Sequence, residues 1–231
     1  MKSNTDQAAL EGAPQRKASV PQKAAARHAV GGTSPDVSHK AISPVMESIG
    51  IKAFEHYIQG VSVYLEYGSG GSTVLAARNG VKDIISVDSD LGWLDAVKRE
   101  SAGTRSNVHL VHCDVGPTKE WGMPTDKSLA ERFHRYPIAP WDAAEKLAAI
   151  PQMIFIDGRF RVACFLYSLL QGRVETPILF DDYRERSYYH VVEEFCDVQQ
   201  MHGRMAEFAV TKNYSHKRLT AAIMKYSVDP G

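Results

Sequence analysis

From about residue 43 onward, short runs of Val, Ile and Leu alternate with segments in which apolar residues recur every three or four positions. Continuous apolar runs predict buried strands, and the wider spacing predicts amphipathic helices. The predicted buried strands cover 61–68, 83–88, 107–114, 152–158 and 177–182. The predicted helices cover 43–59, 72–80, 91–101, 161–172 and 187–200. Two alternating segments, 205–213 and 218–227, predict a final antiparallel pair.

The alternation of strands and helices predicts a parallel sheet that is covered by helices on both faces. Right-handed crossovers then place the carboxyl ends of all parallel strands along one edge, where ligands bind in this architecture. The segment 115–150 leaves this edge after the third strand and holds several prolines. We therefore expect it to form a lid.

The first forty residues differ from the rest, because they are rich in Ala, Ser, Pro, Gly, Gln and Lys and contain no Phe, Trp or Tyr. Such a segment buries too little apolar surface to offset its chain entropy. We expect residues 1–42 to form a disordered tail and residues 43–231 to form one domain.

Composition excludes several classes of partner. Lys and Arg total 27 and Asp and Glu total 27, so the formal charge is zero and gives no general affinity for nucleic acid or an anionic membrane. The three cysteines lie far apart without a CxxC pair, which is typical of a reducing compartment. No apolar stretch approaches the length of a membrane span. We expect a cytoplasmic protein, and the sequence leaves its oligomeric state open.

Acidic residues end every predicted parallel strand. They are Glu66, Asp88, Asp114, Asp157 and the pair Asp181 and Asp182. Acids scattered over a surface need no explanation, but acids at five strand ends along one edge indicate a ligand site with many oxygen acceptors.

The stretch "EYGSGGST", 66–73, places a glycine-rich turn between a strand and a helix. Gly68 and Gly70 let a ligand approach the backbone closely. The fingerprint of nicotinamide dinucleotides requires a glycine where Thr73 stands, and Glu66 suits a cationic ligand better than an anionic pyrophosphate. A nicotinamide-dependent oxidoreductase is therefore the less favoured alternative.

These motifs together resemble the class I S-adenosylmethionine-dependent methyltransferases. The resemblance rests on "LEYGSGGS", "VDSD", "HCD", "IDG" and "FDD" at five successive strand ends, and it covers roughly 61–227. It implies a Rossmann-like, doubly wound, mostly parallel seven-stranded sheet with an antiparallel C-terminal strand pair. It also implies a transferase with S-adenosylmethionine as cofactor.

The resemblance assigns roles to the cofactor-binding residues. Gly68 and Gly70 would pass under the methionine part of the cofactor, and Glu66 would face its ammonium group. Asp88 would accept hydrogen bonds from the ribose hydroxyls, and Asp114 would accept one from the adenine amino group. The acceptor would be a small molecule.

Asp157, Asp181 and Asp182 resemble the metal triad of catechol-type O-methyltransferases, which implies Mg²⁺ ligands and, for Asp157 and Asp182, catalytic roles. The three carboxylates converge only if the chain bends after Asp181. A metal-free alternative stays open, in which Asp182 pairs with Arg159, Arg184 or Arg186. The catalytic lysine of the catechol enzymes is absent here, because "DGRFR" follows the fourth strand.

The sequence therefore predicts methyl transfer from S-adenosylmethionine to an oxygen of a small molecule, with or without Mg²⁺. The alternative from a different class is a non-catalytic module that keeps the fold and binds S-adenosylmethionine without turnover.

Overall fold

The predicted apolar runs are the central strands of a seven-stranded sheet in the computed structural model, which describes residues 41–231. The predicted tail, 1–42, lies outside the described residues except for its last two positions. Within 41–231, no helix has the length and apolar character needed to cross a bilayer.

The strands are Val63–Tyr67 (β1), Asp83–Asp88 (β2), Asn107–His112 (β3), Thr118–Lys119 (β4), Met123–Pro124 (β5), Met153–Ile156 (β6), Pro177–Phe180 (β7), Gln200–His202 (β8) and Met205–Ala209 (β9). The α-helices are Ser48–Ile58 (α1), Gly71–Arg78 (α2), Leu91–Ser101 (α3), Ala130–Phe133 (α4), Arg135–Lys146 (α5), Arg161–Gln171 (α6) and His216–Tyr226 (α7). Short 3₁₀ helices cover Glu120–Gly122 and Ser187–Glu194.

The main sheet has the strand order β3-β2-β1-β6-β7-β9-β8. The first five strands of this order pair in parallel, and β9 runs antiparallel to both β7 and β8. The order reverses between β1 and β6, which opens a cleft at the carboxyl ends of these two strands. The predicted doubly wound, mostly parallel seven-stranded fold is confirmed.

Backbone hydrogen bonds continue past the ends of the strands and keep the carboxyl edge in register. The Asp157 N–H donates to the Tyr67 carbonyl at 2.9 Å, and the Asp181 N–H donates to the Ile156 carbonyl at 3.0 Å. The acids that follow β6 and β7 therefore stand side by side.

Two apolar clusters cover the two faces of the sheet. On one face, Phe165 of α6 meets Phe208 edge-on, with ring centroids 4.7 Å apart. On the other face, Phe54 of α1 meets Tyr64 and Phe155 edge-on. Truncating a buried Phe of this kind to Ala costs about 3–5 kcal/mol, so the sheet is a rigid support for the edge.

The final element differs from the prediction, because the segment predicted as a strand over 218–227 is helix α7. The Ser215 hydroxyl caps this helix and accepts a hydrogen bond from the Arg218 N–H. The side chains that pack against the core have the i, i+3, i+4, i+7 spacing of a helix, and they are Leu219, Ala222, Ile223 and Tyr226. The strand prediction was wrong because apolar residues also occur at alternate positions in this apolar-rich helix, and this spacing imitates the alternation of a strand.

The antiparallel pair lies earlier in the chain, in β8 and β9. The helix predicted over 187–200 is a 3₁₀ helix that ends at Glu194. Its buried side chains, Tyr189 and Val192, are three residues apart, which matches the period of a 3₁₀ helix.

The segment 115–150 forms a short hairpin of β4 and β5 followed by α4 and α5. Helix α5 packs on the sheet: the Tyr67 hydroxyl donates to the Pro137 carbonyl at 2.8 Å and accepts from Trp141 Nε1 at 2.8 Å. The second half of the segment is thus the helix that crosses from β3 to β6. The role of the hairpin as a lid stays a prediction.

The helical assignment of α7 predicts different effects for two adjacent alanines. Ala222→Asp puts a charge against the core and should lower the free energy of unfolding by about 2–4 kcal/mol. Ala221→Asp, at an exposed position, should change it by less than about 0.5 kcal/mol. Urea unfolding of both variants distinguishes a helix from a strand. In a strand Ala221 would share the face of Leu219, so Ala221→Asp would be the more destabilising substitution.

Candidate functional site

The glycine turn, residues 68–71, connects β1 to α2 at the carboxyl edge. Gly68 has a φ of 93°, which favours glycine, and a Cβ there would lie 2.6 Å from the backbone of Gly158. The two backbones that leave β1 and β6 are therefore in direct contact. This contact forms the floor of the cleft.

Glu66 lies beneath the glycine turn and has no exposed surface. Its carboxylate accepts hydrogen bonds from the hydroxyls of four residues, which are Tyr64, Ser72, Thr73 and Ser86. Burial raises the pKa of Glu66 to about 7, although these hydroxyls oppose the shift. The oxygens of Glu66 are enclosed and bind the start of α2 to the sheet, and its predicted contact with a cofactor ammonium stays a prediction.

Asp88 ends β2 and keeps a partly exposed side chain beside the glycine turn. Its Oδ1 accepts from the Asp90 N–H at 3.0 Å, and burial raises the pKa of Asp88 to about 6, against the lowering effect of neighbouring backbone N–H groups. Trp93 covers the turn and donates from Nε1 to the Ser69 carbonyl at 2.6 Å. Asp88 is thus an acceptor at the end of β2, and its role in ribose recognition stays a prediction.

Asp114 is exposed and engaged elsewhere. Its Oδ1 accepts from the Gly116 N–H at 2.9 Å, and its Oδ2 accepts from Arg132 of α4 at 2.6 Å. The Gly116 N–H and then Arg132 hold the pKa of Asp114 below its usual value. Each oxygen thus has one protein donor and can accept a further hydrogen bond, and the role predicted for Asp114 at an adenine amino group stays a prediction.

Asp157, Asp181 and Asp182, here called the acid cluster, do converge, because one oxygen of each lies within 4.8 Å of the others. The bend that this requires is present, since Asp182 has a left-handed φ of 58°. Asp181 is only 1% exposed, whereas Asp157 and Asp182 are half-buried. The cluster closes the cleft on the side of β7.

Three arginines fill the space between these acids. Arg161 Nη2 lies 2.9 Å from Asp157 Oδ1, and Arg161 Nη1 lies 3.2 Å from Asp182 Oδ2. Arg186 Nη2 lies 2.8 Å from Asp182 Oδ2. Arg204 contacts both oxygens of Asp181 at 2.8 and 3.1 Å, and its Nε lies 3.1 Å from Asp182 Oδ1. Three carboxyl groups thus meet three guanidinium groups.

The acid cluster does not fit Mg²⁺ in this arrangement. Mg²⁺ needs several free oxygens in octahedral geometry. Of the six carboxylate oxygens of the acid cluster, five contact an arginine, and Oδ2 of Asp157 has no side-chain partner among the described residues, 41–231. Burial, followed by the repulsion of Asp181 and Asp182, raises the pKa of Asp157 to about 7, although Arg161 opposes the shift.

The segment 43–47, here called the strap, lies across the glycine turn. A Cβ on Gly71 would meet the backbone of Ser43 and Pro44 at 2.1 Å. At the other end of the strap, Arg204 donates from Nη2 to the Val45 carbonyl at 2.6 Å and from its backbone N–H to Glu47 Oε2 at 2.9 Å. The strap therefore connects the glycine turn to the acid cluster.

Reasoning from the sequence missed the strap and two of the three arginines. Arg186 was one of the partners proposed for Asp182, but Arg161 and Arg204 were not. The signal for Arg161 was its position four residues after Asp157 at the start of α6. Arg204 gave no such signal, because it lies between the helix predicted over 187–200 and the strand predicted over 205–213, in a stretch assigned to no element.

Comparison with solved structures gives this geometry a context. A methyltransferase-like protein from Silicibacter pomeroyi DSS-3 is 31% identical over 82% of this chain and 98% of its own, with a TM-score of 0.74. A cofactor-bound protein from MTB is 16% identical over 74% of this chain and 84% of its own, with a TM-score of 0.50. An O-methyltransferase from Bacillus cereus in complex with SAH is 18% identical over 73% and 83%, with a TM-score of 0.47. A scan against protein-family models and a search of curated proteins gave no match.

The packing of the strap predicts opposite outcomes for two neighbouring glycines. Gly71→Ala forces the strap off the turn and should lower the free energy of unfolding by about 1–3 kcal/mol. Gly70→Ala meets only Trp93 at an ordinary 3.8 Å and should change stability by less than about 0.5 kcal/mol.

Thermal unfolding of both variants measures the difference, and limited proteolysis locates it. Gly71→Ala should speed cleavage within 43–47, whereas Gly70→Ala should not. Equal stability of the two variants would show that the strap does not rest on Gly71.

Proposed function

Because this chain belongs to the class I S-adenosylmethionine-dependent methyltransferases, we propose that it binds S-adenosylmethionine and transfers the methyl group to an oxygen of a small molecule. The observation that carries the proposal is the contact between the glycine turn and Gly158, with the open carboxylates of Asp88 and Asp157 on either side of it. A ligand in this cleft would find close backbone approach and acidic acceptors at the same time.

Two features support binding of the cofactor. Gly70, whose Cβ position is open apart from Trp93, leaves room for the methionine part of the ligand above the turn. Asp88 holds an acceptor at the end of β2, which suits the paired hydroxyls of a ribose. When bound, the cofactor would supply an activated methyl group on a positively charged sulfur.

The free oxygen of Asp157 supports an oxygen acceptor. Methyl transfer forms a bond from the acceptor oxygen to the methyl carbon and breaks the bond from that carbon to sulfur, so a hydroxyl acceptor must also lose its proton. In this proposal Oδ2 of Asp157 takes the proton, while Arg161 holds Oδ1 at 2.9 Å. A carboxylate with a raised pKa is an effective base near neutral pH.

Asp182 fits the predicted catalytic role less well. Its two oxygens contact Arg161, Arg186 and Arg204 at 2.8 to 3.2 Å. We therefore assign proton transfer to Asp157 alone, and we assign Asp182 to the positioning of the arginines. The proposed reaction includes no step through Mg²⁺.

Binding of the cofactor is tested with two aspartates at opposite ends of β2. We expect isothermal titration to show binding of S-adenosylmethionine and S-adenosylhomocysteine to the unmodified protein. Asp88→Asn should weaken both by about 10- to 100-fold, the effect of losing a hydrogen bond to a charged group.

The matched control is Asp83→Asn at the amino end of the same strand, which should bind as the unmodified protein does. Absence of binding to the unmodified protein would refute the proposed function. Equal weakening by both substitutions would remove Asp88 from the cofactor site.

Turnover is tested by the release of S-adenosylhomocysteine from matched panels of phenols, aliphatic alcohols and amines. We expect release with hydroxyl acceptors and none with the corresponding amines. Asp157→Asn should lower the rate by about 100-fold or more, while the affinity for S-adenosylmethionine should change by less than about threefold.

The Asp83→Asn protein again serves as the control and should retain the full rate. Turnover of amines alone would contradict the oxygen acceptor. An unchanged rate in Asp157→Asn would remove this residue from the chemistry.

A further inference from the structure

Arg161 lies at the centre of the acid cluster and is almost completely enclosed, with 3% of its surface exposed. Its Nη2 and Nη1 face Asp157 and Asp182, as described above. The same guanidinium also donates to backbone carbonyls at the ends of two strands. Nε donates to Gly158 O at 2.9 Å, Nη1 to Asp181 O at 2.8 Å and Nη2 to Asp157 O at 2.9 Å.

These contacts use the complete donor set of the side chain. A guanidinium has five N–H groups in a planar fork, and Arg161 has two carboxylate and three carbonyl acceptors. A cation that is surrounded by oxygen ligands from several strand ends occupies the coordination position that a metal ion has in an acidic site.

We propose that Arg161 is the fixed cation of the acid cluster, in the place that a divalent metal would otherwise take, and that the protein works without such a metal. The statement about metal binding depends only on the geometry of this chain. The statement about turnover rests on the proposed function.

Displacement of Arg161 by a metal is unfavourable for two reasons. The side chain starts at the first residue of α6 and is enclosed, so its guanidinium cannot move into solvent without disturbing the helix. Its departure would also leave three backbone carbonyls without their donor. A metal would have to compensate for these losses and for its own dehydration.

Arg186 and Arg204 also oppose the binding of a metal ion, from the outer side of the cluster. Arg204 covers both oxygens of Asp181, and Arg186 covers Asp182. These two arginines are more exposed than Arg161 and neutralise the remaining charge. The cluster therefore offers a divalent ion a single free oxygen, on Asp157, and three arginines offset its negative charge.

The inference is tested with Mn²⁺, whose free aquo ion gives an electron paramagnetic resonance signal that is lost on binding. We expect the unmodified protein to leave the signal of millimolar Mn²⁺ unchanged. Arg161→Met frees oxygens of Asp157 and Asp182 and should increase Mn²⁺ affinity by about tenfold or more, and Asp157→Asn in the same chain should abolish the increase.

The matched control is Arg159→Met, two residues earlier, which has no carboxylate partner within residues 41–231. It should behave as the unmodified protein does. Two outcomes would overturn the inference. One is that the unmodified protein binds Mn²⁺ and Asp157→Asn abolishes this binding, and the other is that a folded Arg161→Met protein gains no affinity for Mn²⁺.

A second measurement decides the question if Arg161→Met does not fold. A metal bound to the native state raises the midpoint of thermal unfolding. The unmodified protein should show the same midpoint in Mg²⁺, in Mn²⁺ and in EDTA. A rise in Mg²⁺ that Asp157→Asn removes would overturn the inference.

The turnover arm uses the hydroxyl acceptors from the preceding experiment. The rate should be the same with EDTA and with Mg²⁺, and a loss of rate in EDTA that Mg²⁺ restores would overturn the inference. Failure of the proposed function is separately visible as absence of S-adenosylmethionine binding. In that case the Mn²⁺ measurement still shows whether Arg161 or a metal ion is the cation of the acid cluster.

Discussion

Carboxylates held within 4.8 Å of one another repel, and arginines that lie between the three acids of this edge offset the repulsion. Unpaired charges in such an enclosed place would cost several kcal/mol each. The central cation, Arg161, also binds the carbonyls that end β6 and β7, so the charge pairing and the register of these strands depend on each other. The shape of the cleft follows from this coupling.

The strap extends the same coupling to the glycine turn. Arg204 binds Asp181 with its guanidinium and holds the strap through Val45 and Glu47. The strap in turn lies against Gly71, at the first residue of α2. A change at the acid cluster can therefore reach the turn over which the methionine part of a cofactor would lie, through contacts that are continuous in space. The two ends of the cleft are therefore joined by a continuous series of contacts.

The sequence predicted the sheet and the edge because both follow from local patterns, namely apolar runs that end in acids. It could not predict which arginine fills the acid cluster. Arg159 and Arg161 are neighbours in "DGRFR", and the choice depends on Phe160, whose left-handed φ of 55° turns the chain into α6 and aims Arg161 back at the strand ends. Nor could it place Arg204, because the strand predicted over 205–213 was paired with 218–227, whereas β9 pairs with β8 and Arg204 lies in the turn between them.

Burial divides the acids of this edge into two groups that share the same sequence pattern. Glu66 and Asp181 are enclosed, and all of their oxygens hold protein donors, so they fix the turn and the strap. Asp88 and Asp157 keep exposed surface, so their pKa values, raised to about 6 and about 7, belong to groups that a ligand can reach. A carboxylate oxygen without a protein donor is the most available one to a substrate. On this criterion Asp157 is the acid of the cluster with an available oxygen, and Asp181 and Asp182 keep Arg161, Arg204 and the strap in place around it.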